Sequence, residues 1–164
     1  MNLPSKRVLN LAGFAVCAGM MGFALYAEHK LLMEPCPLCI FQRIAVIGMG
    51  IGFLLLAIHN PNPGWAKRIY LGFLSLSAIG GISVAGRHVW LQNLPPDEVP
   101  SCGPGLGYML DNFPFADALK MVFTGSGECA SVSWSLLGLS MPAWVLIGVL
   151  GMAIGAFWNN LVRD

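Results

Sequence analysis

Four long apolar runs divide the chain. Val8–Ala27, Ile44–Ile58, Ile69–Gly86 and Pro142–Asn159 carry no charge, and Cys39–Arg43 extends the second run at its N-terminal end. None alternates with the period of a half-buried strand, and none shows the polar stripe of a surface helix. A helix apolar on all sides belongs in a core or in lipid. At about 1.5 Å per residue the first run alone covers about 30 Å, the thickness of a bilayer's hydrocarbon. Breaks fall between the runs. Pro61, Pro63 and Gly64 stop the second, Arg87 and His88 end the third, and Pro142 suits the first turn of the fourth. The pattern predicts an all-α integral membrane protein. One membrane domain over 1–164 holds a four-helix bundle with spans at about 8–27, 40–58, 69–87 and 142–159. The loops at 28–39 and 88–141 then share one side. Within the longer loop, Phe115, Leu119, Val122 and Phe123 fall on one helical face, with Asp117 and Lys120 elsewhere. That predicts a short helix lying on the membrane interface, with a helix packed against protein as the alternative.

Composition agrees with lipid. Of 164 residues, 56% are hydrophobic and 10% charged, with a mean hydropathy of +0.69; soluble domains carry about 25% charge. The net charge of +1 and the absence of a basic run leave no footprint for nucleic acid. A cleaved signal peptide would need an apolar core of about 7–15 residues and a small-x-small site. The first run is longer and ends on Leu25-Tyr26-Ala27, so it is read as a span. Charge sets the orientation. Lys6, Arg7, Lys67, Arg68 and Arg163 lie on the side of the termini, with Asp164 alone among the acids; Glu28, Glu34, Asp97, Glu98, Asp111, Asp117 and Glu128 lie opposite. Basic residues favour the cytoplasm, so the termini are expected there and both cysteine-bearing loops outside. Trp65, Trp90, Trp134, Trp144 and Trp158 sit near predicted span ends, as aromatic belts do.

Five cysteines remain. Cys17 is mid-span and reads as a small buried hydrophobe. Cys36, Cys39, Cys102 and Cys129 fall on the outer side, which in a bacterium is the oxidising periplasm. Four cysteines allow three pairings, the simplest being Cys36–Cys39 with Cys102–Cys129. A bridge across two residues staples almost nothing, so a Cys-x-x-Cys disulfide points to redox use more than to structure. Zinc is disfavoured by the wide spacing of Cys102 and Cys129 and the lack of a His pair, so no metal is expected. Haem attachment is excluded by Ile40 after Cys39. Cys36, Cys39 and Arg43 stand at i, i+3 and i+7, on one face of a helix. Cys39 falls in the first turn, where the helix dipole favours a thiolate. Arg43 is a cation at a membrane edge and so a candidate functional group, with snorkelling to headgroups as the alternative. No nucleotide, haem or iron–sulfur motif is present to accept electrons. That leaves a lipid-soluble quinone by elimination.

These residues carry a resemblance. Pro35-Cys36-Pro37-Leu38-Cys39-Ile40 with Arg43, Gly125-Ser126-Gly127-Glu128-Cys129-Ala130, Leu137-Gly138-Leu139-Ser140-Met141-Pro142-Ala143-Trp144, and His88 followed by Leu91-Gln92 resemble the DsbB family. Its members are quinone-reducing disulfide bond formation proteins of the bacterial inner membrane. The resemblance implies a catalytic relay through Cys36, Cys39, Cys102 and Cys129. A reduced DsbA-like periplasmic thiol oxidase attacks Cys102, and the freed Cys129 attacks Cys36. Cys39 then passes electrons to ubiquinone or menaquinone, held by Arg43 and, more weakly, His88. Gln42 stands where some members carry an acid. The competing readings are a quinone reductase like the vitamin K epoxide reductases, which place their Cys-x-x-Cys late in the bundle, and a non-enzymatic subunit with structural disulfides.

Overall fold

The computed structural model describes residues 5–61, 64–101 and 106–162. Four helices in it are long and apolar enough to cross a membrane: Lys6–Lys30 (α1), Pro37–His59 (α2), Trp65–Gln92 (α3), and the run Met141–Val162, of which Met141–Phe157 is α-helical (α7) and Trp158–Val162 a π-helical turn. α2 packs against α1 and α3, and α3 against α7. Between α3 and α7 come Leu106–Asn112 (α4), Phe115–Thr124 (α5), Gly127–Ala130 (α6) and a small antiparallel ribbon, Ser135–Leu136 (β1) with Leu139–Ser140 (β2). Leu137 and Gly138 both take positive φ, the backbone a two-residue hairpin turn requires.

Helix ends follow local chemistry. Ser5 caps α1 by accepting the Val8 N–H, and Asn60 closes α2 in the left-handed conformation. α1 runs a turn past the uncharged stretch, through Glu28, His29 and Lys30. Polar residues there cost nothing once a helix leaves the hydrocarbon, so the apolar run marked the membrane and not the helix end.

The main core lies inside the bundle, where Met49, Phe53, Leu56, Leu74 and Val149 meet Cys17, which is buried as a small hydrophobe. A Cβ on Gly81 would stand 3.2 Å from Ala45 Cβ and 3.4 Å from Val149 Cγ1, so the missing side chain lets α3 approach both α2 and α7. On α2, Ile44, Ile47, Ile51 and Ile58 point outward; on α3, Ile69, Phe73, Leu76 and Ile79 do the same. Exposed apolar stripes of that length are stable only against lipid.

α5 joins both expectations made for it. Val122 is buried against α2 and α3, and Phe123 stacks at a tilt on Phe41, 6.2 Å between centroids, while Phe115 remains 70% exposed. Arg87 donates to the Phe123 and Thr124 carbonyls at the C-terminus of α5 and lies over the Trp90 ring. The loop between the third and fourth spans is thereby held down on the rim of the bundle.

Candidate redox site

Cys36 is the N-cap of α2, in extended backbone, with Pro37 following at the first helical position. Its Sγ accepts the Cys39 N–H at 3.4 Å, so the cysteine itself fills the capping role usually taken by Ser or Asp. That geometry turns the Cys39 side chain back over the cap, and the two sulfurs lie 2.9 Å apart.

Gly125 delivers the third sulfur. Its φ of +87° redirects the chain after α5, and a Cβ there would stand 2.4 Å from Leu91 Cδ1. Only glycine lets the backbone lie this close to α3. The next turn is fixed by Gly127 N–H donating to Ser101 O and Cys129 N–H to Ser126 O. Cys129 is thereby buried against the cap of α2, its Sγ within 4.8 Å of Cys36 Sγ. Ser126 Oγ lies 3.7 Å from the same sulfur.

His88 completes the cluster from α3. It is 2% exposed, with Nε2 3.8 Å from Cys36 Sγ and Nδ1 2.9 Å from Gln42 Nε2. If Gln42 donates its amide N–H to Nδ1, the ring proton sits on Nε2 and faces the sulfurs. The cysteines share protons unequally. Cys36, as hydrogen-bond donor to Cys129 and to Cys39 and buried besides, has its thiol pushed far above the usual range. The Cys129 thiol is pulled down from 9.0 to about 6, first by the hydrogen bond from Cys36 and then, against its burial, by the Leu38 amide and Ser126. Cys129 is thus poised as a thiolate beside the protonated Cys36.

Arg43 ion-pairs with Glu28 and donates from its second NH group to the Ala24 carbonyl. It does not bond Cys39, yet both line one cavity of about 820 Å³ that also reaches Gln92 and Trp134. The walls are mainly apolar, Met20, Met21 and Val145 among them. Gln92 Oε1 is buried there with no hydrogen-bond partner among the described residues. Of the expected site residues, Cys36, Cys39, Cys129 and His88 come together, Arg43 lies on the same cavity wall, and Cys102 lies outside the described residues.

The family model for Disulfide bond formation protein DsbB matches residues 6–159. The chain belongs to the DsbB family. Several similar relatives are called Disulfide bond formation protein B. That of Methylococcus capsulatus is 52% identical over 99% of this chain and 100% of its own length. Those of Nitrosococcus oceani (49% identical; 94% of this chain, 91% of its own) and Stutzerimonas stutzeri (44%; 100% of both) follow the same full-length pattern. This DsbB-family chain is therefore a multi-pass bacterial membrane protein of disulfide bond formation, a disulfide oxidoreductase.

Three residues that partner the site were not singled out from sequence. Gln42 stands three residues after Cys39 and Gln92 four after His88, so helical spacing placed each on its partner's face. Glu28, the partner of Arg43, had no such signal, because α1 and α2 meet only through the fold.

Proposed function

We propose that this chain reoxidises a DsbA-like, thioredoxin-fold thiol oxidase in the periplasm and sends the electrons to a quinone of the inner membrane. The observation that carries the reading is the row of sulfurs: Cys129 within 4.8 Å of Cys36, Cys36 2.9 Å from Cys39, and Cys39 on the wall of a cavity shared with Arg43 and Gln92. The charge bias of the loops supports an outward-facing site, with the termini in the cytoplasm.

The resting oxidised chain holds Cys36–Cys39 and Cys102–Cys129 disulfides. A thiolate of the reduced partner attacks Cys102, forming a mixed disulfide and releasing the Cys129 thiolate. The partner's second thiolate attacks the mixed disulfide, closes the partner's own disulfide and leaves Cys102 reduced. Cys129 attacks Cys36, and Cys39 leaves as a thiolate carrying the electron pair. Cys102 then resolves the Cys36–Cys129 bond, restoring its own disulfide with Cys129 and leaving Cys36 and Cys39 reduced. Across these steps two electrons enter and one disulfide leaves in the partner. His88 Nε2 stands where it can hold a proton between the sulfurs.

The cavity fits a flat, carbonyl-bearing apolar ring. Methionine and valine side chains offer apolar contact, Arg43 offers N–H donors, and the buried unpaired Gln92 Oε1 offers an acceptor. A bound quinone supplies a two-electron, two-proton oxidant there. Arg43, braced by Glu28, would hold one of its oxygens, and the Gln92 amide, free to present either end, the other.

The test is turnover. The purified chain in a lipid nanodisc is mixed with a reduced thioredoxin-fold dithiol protein and a short-chain quinone, and quinone absorbance is followed. Loss of absorbance that needs both the chain and the reduced protein is the expected result; no turnover would overturn the reading. A partner whose second, resolving cysteine is replaced by alanine should instead accumulate as a mixed disulfide with Cys102, with Cys129 released as the leaving thiolate.

A further inference from the structure

The relay uses its sulfurs two at a time, yet the fold gathers three buried soft ligands within reach of one another and sets a fourth sulfur beside one of them. Cys36 Sγ, Cys129 Sγ and a ring nitrogen of His88 all lie within 4.8 Å of one another, each residue buried, and Cys39 Sγ lies 2.9 Å from Cys36 Sγ. A tetrahedral zinc centre has metal–sulfur bonds of about 2.3 Å and metal–nitrogen bonds of about 2.0–2.1 Å, which set edges of about 3.7 Å between sulfurs and about 3.5 Å from sulfur to nitrogen. The Cys36 Sγ–His88 Nε2 separation of 3.8 Å already sits near such an edge. We propose that the fully reduced chain binds one thiophilic d10 cation, of which zinc is the type, through Cys36, Cys39, Cys129 and His88.

The surroundings fit that assignment. Three thiolates and an imidazole select zinc-like ions over hard cations. A Cys-x-x-Cys turn at a helix start is one half of a common zinc knuckle; the other half comes here from α3 and α6, which no linear spacing could reveal. A ligating histidine needs its second nitrogen held by an acceptor, and a half-turn of the Gln42 amide presents Oε1 to Nδ1 in place of Nε2. The centre would carry one net negative charge, three thiolates against a dication, with the Arg43 cation on the same cavity wall.

Binding transfers no electron. The cysteine thiols lose their protons to solvent and four metal–ligand bonds form. The Cys36–Cys39 disulfide removes two ligands, so the site exists only in the reduced chain. Under the relay proposed above, and resting on it for this consequence alone, the site forms when a second reduced partner opens Cys102–Cys129 before Cys36 and Cys39 have passed on their electrons, and a bound cation then keeps Cys36 and Cys39 from closing and halts electron exit. Excess zinc in the envelope would therefore act as a brake on disulfide formation.

The experiment uses the full chain in nanodiscs, reduced with a phosphine, titrated with Cd2+ and followed by sulfur-to-cadmium charge-transfer absorption, then challenged with Zn2+. The expected result is one cation per chain, displaced by zinc and absent from the oxidised chain. His88→Ala and Cys129→Ser should each weaken binding by more than about tenfold, and Gln42→Leu by about tenfold. Cys17→Ser and Cys102→Ser should leave it unchanged. Unaltered binding in both His88→Ala and Cys129→Ser, loss of binding in Cys102→Ser, or no saturable band would each overturn the site. Thermal unfolding of each metal-free variant reports its folding separately. The band is read without partner or quinone, and quinone turnover is measured without metal, so failure of one assignment does not imitate failure of the other.

Discussion

The two ends of the bundle handle buried polar groups in opposite ways. At one end Asn10 and Asn160 exchange amide hydrogen bonds at 3.2 and 3.1 Å. Asn159 donates to Asn10 and to the Lys6 carbonyl, Asn160 also to the Ala156 carbonyl, and Arg7 caps α2 through the Ala57 carbonyl. These amides tie α1 to the π-helical turn in one arrangement. At the other end three sulfurs, an imidazole and two amides crowd together. There Cys36 faces Cys39, Cys129 and His88 at once, and Gln92 Oε1 has no partner among the described residues. A saturated network has a single low state and gives rigidity. A cluster with more partners than bonds can re-pair, and re-pairing of sulfurs is what a disulfide relay consists of. One end of the bundle is thus fixed in its hydrogen bonding, and the other is open to re-pairing.

Four substitutions or conditions separate the ends. Cys39→Ser has the largest expected effect, a loss of quinone turnover of at least about 10³-fold, because the sulfur facing the cavity is removed; the unfolding temperature should barely move. Gly125→Ala comes next. A Cβ 2.4 Å from Leu91 on a φ of +87° should cost about 1–3 kcal/mol and slow partner-driven turnover roughly tenfold by lifting Cys129 off Cys36. Quinone reduction driven by a small dithiol acting directly on Cys36–Cys39 should be spared.

Acidity gives a third separation. With its thiol pulled down to about 6, Cys129 is a thiolate above that pH and protonated below it. In the fully reduced chain, where the Cys36 thiol is present to lower it, alkylation of Cys129 followed by peptide mass spectrometry should be flat above about pH 6 and fall about tenfold per unit below. A rate still rising between pH 7 and 9 would show an unactivated thiol. The smallest effect belongs to the static end. Asn160→Leu leaves the Asn10 amide short of partners and should cost about 1–2 kcal/mol of stability with turnover unchanged.

Much of this was legible because lipid imposes a simple rule: a span must be long, apolar and helical, so Val8–Ala27 and its three counterparts stand out without knowledge of the packing. The Cys36–Cys39 motif and its helix start were equally local. What could not be read depends on register between helices. In the sequence His88 only marks the end of the third run, but the α2–α3 packing buries it between Gln42 and Cys36. Arg43 looked free to face Cys39, whereas the extra turn of α1 brings Glu28 to it. The β1–β2 ribbon gave no strand signal, being only a turn with two residues on each side. The Asn10–Asn159–Asn160 network hid inside, and one residue past, runs that counted as uncharged.

Disulfide mapping of a chain carrying Cys39→Ser and Cys102→Ser, mildly oxidised in lipid, tests most directly whether Cys129 is held ready for Cys36. The account predicts that non-reducing peptide mass spectrometry finds Cys36 joined to Cys129 in most molecules, with Cys17 still a free thiol. Recovery of Cys36 and Cys129 as separate alkylated thiols would contradict it.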